Sequence, residues 1–307
     1  MEKPSASAIE KSVAGNKTRD KVFAIVGLLC TFIGMLTLAA LLFDLSSDGL
    51  ARIKPHFFTS FPSRFAGQAG ILSSWVGTIL VMIVTALAAV PIGVGAGVYL
   101  EEYAPKNWLT ALIEINIANL AGVPSIVYGL MALGLFVYQF KFGQSILSAG
   151  LTLALLILPI IIVATRESLR AVPGSMREAA YALGATKWQT TSDHVLPYSM
   201  GGIVTGVIIG LSRAIGETAP LITIGALTFI AFLPDAPVKP EFPFISFEWL
   251  WSPFSVMPIQ MFNWVSRPQA EFHLNAAATG LILMAMTLAM NAVAIYFRYR
   301  FRKRIKW

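Results

Sequence analysis

Arg213 and Glu217, four positions apart, interrupt an apolar stretch that runs from about 200 to 232. A charge at the centre of a membrane helix costs about 2.5–3.5 kcal/mol on insertion scales, so such charges pair with each other or line a polar path. Their spacing puts both on one helix face, one turn apart. Arg213 offers a planar fork of donors that stays ionised, which suits an oxyanion stripped of water. Glu217 can hold that fork when no anion is present, and can accept a proton from a protonated one. The alternative is a structural ion pair fixing this span against a neighbour, and both readings can hold at once.

Prolines beside these polar groups must shape the backbone. Pro220 cannot donate to the carbonyl of Gly216, so the helix is expected to break or kink beside the charges. Pro124 does the same to Leu120, beside Asn119 and Ser125, which are candidate neutral donors in the path or interhelical hydrogen-bonding groups. Broken helices lining a polar cavity are a common transporter device. Gly93 and Gly97 form a Gly-x-x-x-Gly face and read as packing. His56, His194 and His273 are scattered, so no metal site is expected.

The elements that carry these residues are membrane helices. The chain is 56% hydrophobic and 13% charged, about half the charge of a soluble protein, and its apolar runs are continuous rather than alternating. This predicts an all-α membrane protein with six transmembrane helices, near 22–43, 72–100, 112–138, 147–165, 200–232 and 274–297. With Cys30 as the single cysteine, intrachain disulfides are excluded. Sixteen Lys and Arg fall in the two tails and loops 101–111 and 166–199, against six in the other loops. Both termini and those two loops are therefore expected on the cytoplasmic side of the membrane. The basic tails read as topology anchors rather than a nucleic-acid surface.

Three regions follow: a polar tail 1–21 expected to be disordered, a six-helix domain 22–297, and a basic tail 298–307. Within the domain, external segment 233–273 is rich in Pro and Trp. Its prolines forbid long helix, its Trp residues suit the membrane interface, and a short amphipathic piece is expected near Val256–Val265.

Loop 166–199 predicts a short helix over Met176–Leu183, with Ser175 as N-cap, Glu178 at the third position and Gly184 just past the end. Pro197 is expected to close the loop before span five. Glu178-Ala179-Ala180, then Gly184, then Leu196-Pro197, resembles the EAA loop of bacterial ABC-importer permeases. That resemblance implies a coupling helix, with Glu178, Ala179, Ala180 and Gly184 meeting a separate ATPase. The chain has no Gly-Lys dipeptide and hence no Walker A phosphate loop. ATP and Mg are therefore expected on the partner ATPase, with no cofactor in this chain.

Several runs resemble the A-type permease subunits of phosphate-specific ABC importers, the PstA family: GVGAGVYLEEYA at 93–104, NLAGVPSIVYGL at 119–130, LTLALLILPIII at 151–162, REAAYALGATKWQT at 177–190 and RAIGETAPL at 213–221. Ser212 stands where that family is expected to have Ala. The resemblance implies a type-1 importer (MetI-like) fold over about 70–297 and import of inorganic phosphate by alternating access. It also implies a homologous C-type permease, two ATPase subunits and an external phosphate-binding protein as partners. Permeases for phosphonate, sulfate or molybdate are the same-class alternative. An ATP-independent carrier leaves loop 177–197 unexplained.

Overall fold

Apolar runs long enough to cross a bilayer become the long helices of the computed structural model, which describes residues 6–238, 244 and 246–304. In chain order the helices are α1 Ala6–Gly49, α2 Pro55–Thr59, α3 Leu72–Val98, α4 Trp108–Leu120, α5 Ser125–Ala132, α6 Ile146–Arg170, α7 Gly174–Ala182, α8 Lys187–Gln189, α9 Leu196–Gly216, α10 Ala219–Thr223, α11 Met257–Val265 and α12 Ala270–Arg304. Among the described residues, five continuous helical stretches are long and apolar enough to span: Arg19–Arg52, Leu72–Tyr103, Ile146–Arg170, Lys187–Gly216 and Ala270–Arg300. Helices α4 and α5, bent by 106° at the break between them, bring the total to six when taken as one span.

Helices α3, α6 and α9 form the packed centre. Leu153, Ile157 and Ile161 of α6 are fully or almost fully buried there, with Val81 and Ala89 of α3 and Ala214 of α9. The Gly-x-x-x-Gly face packs as expected. A Cβ on Gly93 would lie 2.7 Å from Ile161, and one on Gly97 would lie 2.6 Å from Thr165. By contrast, α1 packs along α12 and leaves Phe23, Leu28 and Phe43 exposed.

Four expectations change. The first helix begins at Ala6, so residues 6–21 continue it rather than forming a disordered tail; no proline interrupts 6–49, and Ser, Ala, Lys and Glu are all compatible with helix. Residues 1–5, Lys239, Pro240, Pro243 and 305–307 lie outside the described residues. The fifth span runs from Lys187 to Gly216, not 200 to 232. Its helix passes through Pro197, because the π-helical turn Thr190–Val195 widens the backbone where the proline ring needs room. The apolar run after Gly216 instead turns back into the protein, with Leu227 N–H donating to Phe254 O at 3.0 Å.

In segment 233–273 the expected amphipathic piece is α11, but it is not a surface helix. Trp264 is fully buried against α12 together with Met257 and Phe272, and Trp249 is buried as well. Of the three tryptophans read as interface anchors, Trp251 alone stays exposed. The prolines do exclude long helix from the described part of this segment.

Candidate functional site

Helix α9 ends at Gly216, immediately after the turn that carries Arg213. Glu217 is the first residue off the helix, with extended backbone (φ −75°, ψ 129°). The pair forms across that end: Arg213 Nε donates to Glu217 Oε1 at 3.2 Å. Arg213 lies in the last turn, where the carbonyl end of the helix favours a cation. Its side chain is 42% exposed and that of Glu217 18%. Among the described residues, Nη1 and Nη2 of Arg213 carry no hydrogen bond, so four of its five N–H groups are uncommitted.

Pro220 breaks the helix as expected, though through position rather than a lost interior bond. It lies in the first turn of α10, where the missing N–H costs no helical bond, and the extended backbone at Glu217 separates α10 from α9. Pro124 occupies the N-cap of α5, after the sharp bend from α4. The Leu120 carbonyl that Pro124 cannot serve accepts from Tyr128 Oη at 2.8 Å and from Val123 N–H at 3.1 Å.

The helices that follow the two breaks touch. A Cβ on Gly129 of α5 would lie 2.6 Å from Pro220 Cα and would collide with Thr223 Oγ1 of α10. Thr223 Oγ1 in turn donates to the Pro220 carbonyl at 2.8 Å. Asn119 is exposed beside the α4–α5 bend and Ser125 is half-buried. Neither side chain is joined to Arg213 or Glu217 by a hydrogen bond among the described residues. Ser212 Oγ donates to Asn291 Oδ1 of α12, fixing α9 one residue before the arginine.

A second assembly lies at the opposite end of the bundle. Helix α7 starts two residues earlier than expected. Pro173 occupies the N-cap position, so Ser175 lies inside the helix and caps nothing. Gly184 does terminate it, with φ +84°. Its N–H donates to Tyr181 O at 2.9 Å, and the Ala185 N–H donates to Ala180 O at 3.1 Å, which is the Schellman arrangement. Glu178, Ala179 and Gly184 are exposed, as expected of a docking face. Ala180 is not part of that face: it is 6% exposed, because it lies one turn from Arg177 on the side facing the protein. The outward apolar residues are Leu183, at 90% exposure, Tyr181 and Trp188. An apolar groove of about 650 Å³ runs beside α7, lined by Met176, Ala179, Leu183, His194 and Tyr198 among others.

Charged residues counted in the sequence only for topology form a network here. Arg177 Nη2 donates to Glu102 Oε1 at 2.7 Å and to Leu169 O at 2.9 Å, while Nη1 donates to Val172 O at 2.9 Å. Arg170 Nε donates to both oxygens of Glu101, at 3.0 and 2.9 Å. Arg166 Nη2 approaches Glu114 Oε1 at 2.6 Å, a contact off the line of a hydrogen bond. The adjacent carboxylates in the 93–104 run, and arginines one helical turn apart at 166 and 170, were the available signal.

Residues 89–307 match the family described as binding-protein-dependent transport system inner membrane component. The chain is 31% identical to the probable ABC transporter permease protein YqgI of Bacillus subtilis, across 91% of this chain and 90% of that one. It is 33% identical to the phosphate transport system permease protein PstA 1 of Mycobacterium tuberculosis, across 80% and 74%. Against PstA of Yersinia pestis the identity is 31%, across 92% and 91%. In fold it resembles a solved structure of the MetNI methionine ABC transporter, with TM-score 0.58 over 73% of this chain and 93% of that one, at 16% identity. The chain belongs to the family of binding-protein-dependent transport system inner membrane components.

Proposed function

We propose that this chain is the A-type permease subunit of an ATP-driven phosphate importer. The observation that carries the reading is Arg213, anchored through Nε to Glu217 while its outer fork is uncommitted at a helix end. Phosphate carries one to two negative charges and needs several donors once its water shell is stripped. A cation held in place by one nitrogen and free at two others meets that need. Relatives named as phosphate permeases, alike over most of their length, support the choice of anion.

Glu217 orients the fork when the site is empty and can take a proton from a protonated phosphate. Asn119 and Ser125, beside the neighbouring break, are proposed to supply neutral donors as the helices re-angle. The 166–199 loop and both tails face the cytoplasm, by their excess of Lys and Arg. Helix α7 is the coupling helix, presenting Glu178, Ala179 and Leu183 to an ATPase subunit that holds ATP and Mg. A homologous C-type permease, a second ATPase and an external phosphate-binding protein complete the transporter. Alternating access then follows from closure of the ATPases pushing α7.

The test is uptake of labelled phosphate into cells lacking other phosphate carriers and expressing the full transporter. Uptake that needs the binding protein, and that excess sulfate or molybdate does not suppress, is expected. Absence of uptake, or equal competition by sulfate, overturns the reading.

A further inference from the structure

Helices α6 and α7 converge on the cytoplasmic end of α3, where the π-helical turn Tyr99–Tyr103 carries two adjacent carboxylates. Neighbouring residues on a helical turn point in different directions. Glu101 therefore reaches Arg170 and Arg166 of α6, and Glu102 reaches Arg177 of α7. The Glu102 side chain is 7% exposed and that of Arg177 21%. A carboxylate this buried is costly without its partner, so the pair resists separation and is little screened by salt. The same guanidinium also occupies two carbonyls at the end of α6, those of Leu169 and Val172. Beneath it, Met176 of α7 packs on Leu169, Val172 and Val195, together with Val98 of α3. Arg177 thus ties the proposed coupling helix to α3 and α6 through one planar group, next to the outward-facing Glu178.

Beyond this knot the packing has little slack. The glycines of α3 lie against Ile161 and Thr165 of α6. On the adjacent face of α6, a Cβ on Gly202 of α9 would lie 2.9 Å from Ser168 Cβ, and one on Gly206 would collide with Ala164. Helix α9 carries Arg213 in its last turn.

We propose that Arg177 and Glu102 are positioning residues. They form a strut that stays closed through the cycle and passes displacement of α7 into the α3–α6–α9 body, and so to Arg213. A cap for the α6 carbonyls alone would not need a buried carboxylate. The proposal rests on α7 being the coupling helix.

The test uses the complete transporter in proteoliposomes, with the ratio of binding-protein-stimulated to basal ATP hydrolysis as readout. Stimulation of the unaltered complex by the phosphate-loaded binding protein checks the functional reading itself. The difference between that complex and the variants checks the strut. Glu102→Gln and Arg177→Gln are expected to assemble with the ATPase and to lose about tenfold of the stimulation, within the usual range of coupling effects. The swap Glu102→Arg with Arg177→Glu should regain part of it. With Cys30→Ser in the background, Glu102→Cys with Arg177→Cys should be uncoupled when reduced and regain stimulation when bridged by a short bifunctional thiol reagent. Full stimulation in either single variant overturns the strut. So does a bridged protein that remains uncoupled. Single variants that fail to assemble would make the contact structural and overturn it too.

Discussion

Gly129 on α5 lies against Pro220 near the start of α10, so the helices that follow the two proline breaks are in contact. The contact joins the short helix that follows Arg213 and Glu217 to the half-span that follows the α4–α5 bend.

Replacing Gly129 should be poorly tolerated. Gly129→Ala places a methyl 2.6 Å from Pro220 Cα, and Gly129→Val adds more bulk beside Thr223. Overpacking of this kind costs about 1–3 kcal/mol. A lower thermal midpoint in detergent is expected, larger for Val than for Ala. Unchanged stability in both would contradict the contact.

Tyr128→Phe removes the hydroxyl that serves the Leu120 carbonyl. Interhelical hydrogen bonds in membranes average about 0.6 kcal/mol, with a maximum near 1.7, and a loss in that range is expected here. Thermal unfolding of the purified complex measures it. A stabilised variant would mean the carbonyl finds a better partner.

Gly184→Val should uncouple ATP hydrolysis from the binding protein. At φ +84° a β-branched residue is strained by about 1–2 kcal/mol or more, and the end of α7 must shift to relieve it. Glu178→Lys, which reverses a charge on the exposed face, should uncouple without altering the helix. Far-UV circular dichroism and ATPase stimulation, measured together, separate the two effects. Normal stimulation in both variants would remove α7 from the coupling role.

Much of this architecture is legible in the chain. Continuous apolar runs locate the spans because membrane helices must satisfy their own backbone, and charges inside such runs stand out by their cost. Pro124 and Gly184 act through local sterics, so their effects were readable without tertiary information. The end of α9 was hidden because residues 217–232 are as apolar as a helix would be, yet pair with the loop near Phe254. Trp264 was read as an interface anchor because burial against α12 depends on a fold that composition does not encode. The Glu102–Arg177 pair joins positions 75 residues apart, beyond the reach of any periodicity. Ala180 was placed on the outer face for the same reason: which side of α7 faces inward is decided by Arg177 finding Glu102.

The most direct check on the central claim is labelled-phosphate uptake by Arg213→Gln in cells lacking other phosphate carriers. Glutamine keeps polar donors near the same place but removes the charge that an oxyanion requires. The expected result is loss of uptake while the ATPase and the partner permease still co-purify with the variant. Normal phosphate uptake by an assembled Arg213→Gln transporter would contradict the account.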